Sequence, residues 1–209
     1  SDAVRSCLAA HLNSWSLGPE DLIDLQRLLA QDPSSQVRGS LASIGNLHSE
    51  VHIGLSKDPD MEVRSRLARN RFKHPGVGPE GWLNLIACGF VAEVTSNPGC
   101  PESVKIDLCR AGTLKERHLA WPAVRFHEFA DWNTLSLAVE SVIGDPKRLS
   151  ELLLIAKNHT IGGTLKNRLM AHPDFRVTRA VATQKYMTDE QRNRLFFHAD
   201  PKTALRAAK

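Results

Sequence analysis

Tyrosine occurs once, at Tyr186, and aromatic residues make up only 6% of the chain. Sheet proteins are enriched in aromatic and β-branched residues. No segment here alternates polar and apolar positions between hairpin turns, so a β-sheet is not expected. The longest apolar stretch, Trp82 to Val94, falls well short of the ~20 residues that span a bilayer. It reads as a buried helix, and no membrane partner is expected. No secretory signal is visible. The cysteines Cys7, Cys88, Cys100 and Cys109 include no Cys-x-x-Cys pair, which argues against a zinc ribbon or a thioredoxin-like centre. Cys7 and Cys88 have apolar neighbours and read as small hydrophobes. A reducing, cytoplasmic setting suits such thiols.

Catalytic signatures are also missing. There is no Gly-x-Ser-x-Gly elbow, no Gly-Lys-Ser/Thr phosphate loop and no Gly-x-Gly-x-x-Gly turn, so no cofactor is expected. His48 and His52 are a helical turn apart, but Glu50 sits in the wrong place for a His-Glu-x-x-His site. No third ligand can be identified, so no metal is expected. Ile161-Gly162-Gly163-Thr164 reads as a helix stop followed by a Thr cap.

What is present is an ordinary soluble composition, 42% hydrophobic and 24% charged, enough to bury a core. The net charge of +4 permits a phosphate-bearing partner without demanding one.

Asp-Pro and related pairs punctuate the chain: Asp32-Pro33, Asp58-Pro59, Asn97-Pro98, Asp145-Pro146, His172-Pro173 and Asp200-Pro201. Proline disfavours helix in the residue before it and suits the first turn of a new helix. The preceding Asp or Asn can accept hydrogen bonds from the free amides of that turn. The residues after these pairs also recur. Val37-Arg38 leads to Leu41-Ala42, Val63-Arg64 to Leu67-Ala68, Val177 to Arg179 and Val181-Ala182, and Leu205 to Arg206. Near the start, Val4-Arg5 leads to Leu8-Ala9. In the better copies Val and Leu stand four apart, which places both on one helix face.

Weaker anchors lie at Val104, Val124 and Leu149, and the spacing centres on roughly 28 residues, in the range of stacked helical repeats. Second helices are predicted after Gly18-Pro19-Glu20, after Gly78-Pro79-Glu80 (running through Trp82, Leu85, Ile86 and Val91) and after Cys100-Pro101-Glu102. Thr188 with Gln191 forms a capping box for another.

The phrase Asp-Pro-x-x-x-Val-Arg-x-x-Leu-Ala, at 32–42 and 58–68, resembles the leucine-rich repeat variant family and is similar to HEAT-type repeats. The resemblance covers about half the chain. It implies an all-α, right-handed superhelical α-solenoid of about six to eight degenerate helical repeats. The expected organisation is one domain over 1–209, with clearer repeats at 1–70 and 171–209 and a degenerate middle at 71–170. One relative carries an iron–sulfur cluster on grouped cysteines, but the dispersed cysteines here carry over no such ligands. The chain opens and closes inside apparent repeat units, which suggests an excerpt of a longer array or atypical caps.

Three groups of residues stand out. Arg5, Arg38, Arg64, Arg179 and Arg206 occupy similar repeat positions. They predict ion pairs or hydrogen bonds to Asp32, Asp58 and Asp200 or to helix-end carbonyls of a neighbouring repeat, the functional alternative being an anion-binding strip. The run Arg64, Arg66, Arg69, Arg71 and Lys73 contains no acid; with Arg66, Arg69 and Lys73 on one helix face, it is the best candidate for polyanion or partner contact. Among the tryptophans, Trp15, Trp82, Trp121 and Trp132, Trp82 reads as core. Trp121, Arg125, His127, Asp131 and Trp132 could line a concave pocket, with Trp121-Pro122 near a helix start, although core packing is the stronger reading.

The expectation for function is a non-catalytic scaffold presenting a concave repeat surface to a partner, a protein before nucleic acid. The alternative is a DNA-binding enzyme of HEAT-like repeats, such as an alkylated-base glycosylase.

Overall fold

The computed structural model describes residues 1–14, 16–72, 77–126, 132–197 and 200–207. All of its regular structure is helical, and no strand occurs among the described residues. Two compact units divide at Val104 and Lys105.

In the first unit the helices are α1 (Asp2–Ala10), α2 (Pro19–Ala30), α3 (Ser35–Leu41), α4 (Ser49–Ser56), α5 (Met61–Arg69), α6 (Pro79–Ala87) and α7 (Val91–Ser96). Every second helix packs on the next: α1 on α3, α3 on α5, α5 on α7, and likewise α2 on α4 and α4 on α6. The result is two layers built from successive helix pairs. The helix α8 (Glu102–Ala111) contains the division point. The second unit continues with α9 (Leu114–Ala123), α10 (Trp132–Ile143), α11 (Leu149–Lys157), α12 (Gly163–Met170), α13 (Phe175–Val181), α14 (Asp189–Phe196) and α15 (Pro201–Ala207). Here α9, α11, α13 and α15 form one layer. Between the alternate helices, Arg168 of α12 pairs with Glu140 of α10, and Gln191 of α14 donates to Asn167 of α12 at 2.9 Å.

The Val/Leu spacing explains the layers. Val37, Leu41, Val63, Leu67, Val177 and Val181 are all buried, each contributing about 1.5–3 kcal/mol over an exposed position. Val4 and Leu205 differ, being 68% and 63% exposed. Val37 and Val63 lie in helices flanked on both sides within their layer.

Several local expectations are corrected. Trp82–Val94 is two helices rather than one. Gly89 adopts φ +93°, Phe90 N–H donates to Leu85 C=O, and Gly89 N–H donates to Ile86 C=O. This left-handed closure ends α6 at Ala87 and hands Val91 to α7. Proline occupies the first helical position at Pro19, Pro79 and Pro201 and opens the 3₁₀ turn Pro146–Arg148. After Pro33, Pro59 and Pro173 the helix starts two residues later, behind Ser34, Asp60 and Asp174. Gly162, not Thr164, is the N-cap of α12. Cys7 and Cys88 are exposed, while Cys100 and Cys109 are buried.

In the Asp-Pro, Asn-Pro and His-Pro pairs the residue before proline does cap, as a turn acceptor. Asp32, Asp58, Asn97 and Asp145 each take the N–H two residues on, and His172 does so through Nδ1. Asp200 takes the N–H of Thr203.

Side chains then tie successive repeats together. Arg5 Nε donates to Asp32 Oδ2 at 2.6 Å, Arg38 Nε to Asp58 Oδ2 at 2.7 Å, and Arg179 Nη2 to Asp200 Oδ1 at 2.9 Å, each as part of a two-point contact. The ion-pair reading of the repeated arginines is what these three show.

A second ladder has no counterpart among the sequence expectations. Asn70 Nδ2 donates to the carbonyls of Ala42 and Ile44 at 2.9 and 2.6 Å. Asn97 Nδ2 donates to Ala68 and Asn70 at 3.0 and 2.7 Å. In the second unit Asn158 Nδ2 reaches Trp121 and Val124, and Gln184 Nε2 reaches Ala156 and Asn158. Each amide satisfies the exposed carbonyls at the end of the preceding helix of its layer.

Candidate functional site

The basic run does not continue along one helix. α5 ends at Arg69, and Asn70 turns to extended geometry (φ −66°, ψ 108°) to reach its two carbonyls. Arg71 therefore lies beyond the helix, and Lys73 lies outside the described residues. Nor does the helix face lack acids. Glu62, one turn before, pairs with Arg66 at 2.9 Å, and Glu93 of α7 approaches Arg69 at 3.7 Å. Arg64 donates Nη1 to the Asp58 carbonyl, while its buried Nε has no partner. In the two rungs before it, the acid follows the second helix of the arginine's own pair, at Asp32 after α2 and Asp58 after α4. The corresponding position after α6 is Gly89. A cleft of about 180 Å³ remains between α5 and α7, lined by Arg69, Arg71, Glu93 and Asn97.

Of the expected concave pocket, the structure describes the side chains of Trp121 and Arg125. Trp121 and Pro122 lie at the end of α9 and not at a helix start. Trp121 is fully buried and donates Nε1 to Glu151 Oε2 at 3.0 Å. Glu151, itself 0% exposed, also accepts from Arg117 Nε at 3.1 Å and from Arg148 Nη2 at 2.5 Å. Burial alone pushes the Glu151 carboxyl upward, but the hydrogen bonds from Arg148, Trp121 and Arg117 outweigh it and hold the pKa below its usual value. This cluster is a structural rung: Arg117 Nη1 donates to Gly112 C=O, as Arg38 Nη1 does to Asp32 C=O. Arg125 is half-buried. His127, Asp131 and Trp15 lie outside the described residues, as does the side chain of Trp132, which opens α10.

His52 is fully buried, with its ring 4.9 Å from that of Trp82, and His48 is the N-cap of α4. Among the described residues, no group of three or more His, Cys, Asp or Glu side chains is placed to hold a metal ion. No described helix is long and apolar enough to cross a membrane.

A further grouping was not assembled from the sequence. Lys185, Arg192 and Arg206 line one pocket of about 550 Å³ with Gln184 and Met187. Of these, Arg206 stands out in the sequence as a repeat arginine. Lys185 and Arg192 belong to no repeat pattern and carry no sequence signal.

Compared with known families and with curated proteins, the sequence matches no family model and no curated protein.

Proposed function

We propose that this chain is a non-catalytic binding scaffold. In this reading the helix pairs belong to a right-handed α-solenoid of the leucine-rich repeat variant or HEAT-like kind. It offers its repeat surface to a protein partner in the cytoplasm. The observation that carries the proposal is the packing of each helix on the next but one, from α1 to α7 in the first unit and along α9, α11, α13 and α15 in the second, reinforced by Arg–Asp and amide rungs. Such a stack holds surface side chains in fixed register, which is what an extended partner needs.

Large apolar side chains remain on that surface. Leu28 of α2 is 68% exposed, Leu83 of α6 44% and Leu137 of α10 66%. Exposed apolar groups on rigid helices supply contact area for a protein rather than for a phosphate backbone. The glycosylase alternative draws no support from Trp121, whose ring is closed in the core and whose Nε1 is bound to Glu151.

The test is to identify a copurifying protein, reconstitute the pair from purified components and measure Kd for Leu28→Glu, Leu83→Glu and Leu137→Glu. At least one variant should lose about tenfold or more in affinity with its melting temperature unchanged. Turnover of a screened substrate that disappears on a single exposed-residue change would overturn the reading.

A further inference from the structure

Three clefts are lined by charged side chains: one by Arg27, Arg38, Glu50 and Asp58, one by Arg69, Arg71 and Glu93, and one by Lys185, Arg192 and Arg206. A pocket of about 210 Å³ in the second unit differs. Phe126, Leu135, Val139 and Leu165, all buried, form its apolar walls. Glu140 and Arg168 also line it, and their ion pair, with both side chains about half exposed, marks its open side.

The pocket arises from a break in one layer. In the first unit α2 packs on α4 and α4 on α6. In the second, α10 packs on α11 and α12 on α13, but α10 and α12 have no comparable contact with each other. Glu140 and Arg168 bridge the two helices, and apolar side chains from both surround a shared cavity. Its size and chemistry select an occupant. An apolar cavity of about 150 Å³ admits a benzene ring, so this one has room for a larger aromatic ring. Its open side presents a carboxylate and a guanidinium together, an acceptor for an indole N–H and a cation for a π-face. The chain houses its own Trp121 by the same chemistry: Nε1 donates to Glu151 Oε2 at 3.0 Å, and Arg117 and Arg148 hold that carboxylate.

We infer that this pocket is the anchor site for a tryptophan side chain of the protein partner, with the ring among Phe126, Leu135, Val139 and Leu165 and the indole N–H on Glu140. A single aromatic side chain seated in a desolvated pocket carries much of the energy of many protein interfaces. Leu137, which is 66% exposed and follows the lining residue Ser136 on α10, supplies apolar contact area on the same helix. The inference rests on the scaffold reading for the protein that presents the tryptophan.

The test uses the full chain and small probes. Binding of N-acetyltryptophanamide, N-acetylalaninamide and sodium octanoate is measured by calorimetry. The protein is wild type, Ser136→Phe and Thr164→Phe (each putting a ring into the cavity), Glu140→Ala, Glu140→Gln, and Arg110→Ala as an exposed control in α8. Saturable binding of N-acetyltryptophanamide below ~5 mM is expected, at least about fivefold tighter than N-acetylalaninamide. Either phenylalanine variant should abolish it with the melting temperature maintained. Glu140→Ala should weaken it about fivefold, whereas Glu140→Gln, which keeps an acceptor oxygen, and Arg110→Ala should change it less than about twofold. Equal binding of the tryptophan and alanine probes, or wild-type affinity in both phenylalanine variants, overturns the proposal. Tighter binding of octanoate that is lost in the same variants overturns it in favour of an aliphatic small molecule. With a reconstituted partner, Thr164→Phe should cost about tenfold in affinity. A partner still held at full strength through Leu28, Leu83 or Leu137 would remove the pocket from the interface and keep the scaffold.

Discussion

Asn97 donates its side-chain amide to the main-chain carbonyl of Asn70 at 2.7 Å, so one ladder residue caps another. Asn70 meanwhile closes α3 through Ala42 and Ile44, and its own Oδ1 accepts from Phe72 N–H at 3.1 Å.

Asn70→Ala therefore strands two buried carbonyls and takes the acceptor from the Phe72 amide. We expect a loss of about 2–4 kcal/mol, since each unsatisfied buried group costs about 1–3 kcal/mol. Asn70→Asp keeps the acceptor for Phe72 but sets a carboxylate against two carbonyls, and should do at least as much damage. Urea denaturation of both variants checks this; a loss under about 1 kcal/mol in Asn70→Ala would show that the ladder is ornamental.

Glu151→Ala removes the shared acceptor of Arg148, Arg117 and Trp121. A buried carboxylate lost from among its cations costs about 3–5 kcal/mol. Glu151→Gln retains an acceptor oxygen and should cost less. Thermal melts of the pair would show this ordering, and equal melting temperatures for wild type and Glu151→Ala would contradict it.

The rung aspartates predict an acid limb. The Arg179 guanidinium, helped by the Thr203 hydroxyl, holds Asp200 down from its usual 3.8 to about 2. Folding favours the charged form, so the stabilisation is complete above pH 3.8 and disappears as pH falls through about 2. Asp32, held down by the Arg5 side chain, acts in the same direction. Urea midpoints for wild type and Asp200→Asn should differ most above about pH 4 and converge towards about pH 2. A gap that stays constant over that range would count against the rung.

Gly81 lies against His52, and a Cβ there would stand 2.3 Å from Nδ1 and 2.8 Å from Cε1. The imidazole is fully buried beside Trp82 and has no room to retreat. Gly81→Ala should cost about 1–3 kcal/mol through overpacking, despite the better helix propensity of alanine. A neutral or stabilising result in chemical denaturation would refute the close approach.

The sequence exposed one layer of this construction and hid another. Val37, Val63 and Val177 were legible because the four-residue spacing to Leu or Val directly encodes a buried helix face. Arg5, Arg38 and Arg179 were legible because an aspartate recurs before Pro33, Pro59 and Pro201. The amide ladder was not, because Asn70 and Asn158 look like loop residues and their acceptors are backbone atoms some 26 to 37 positions away, which carry no side-chain signature. The middle register was hidden differently. Arg117 occupies a rung, but Glu116 stands where valine would be, recruited to the capping box with Thr113, and the answering acid is a buried glutamate instead of an Asp-Pro pair. The candidate sites suffered from local reasoning. Trp121 and the basic run were grouped by proximity in sequence, whereas the fold assigns Trp121 to the core and gives Arg66 and Arg69 acids from Glu62 and from another helix.

The two ladders point in opposite directions along the chain. Amides of Asn70, Asn97, Asn158 and Gln184 reach back to the pair before them, while the guanidinium groups of Arg5, Arg38 and Arg179 reach forward to the Asp-Pro loop that leads into the pair after. An interior pair is consequently clasped from both sides, and opening it would orphan carbonyls upstream and guanidinium or carboxylate groups downstream. Within the first unit α3 and α5 are held by both ladders, so their amides should be among its slowest to exchange with solvent.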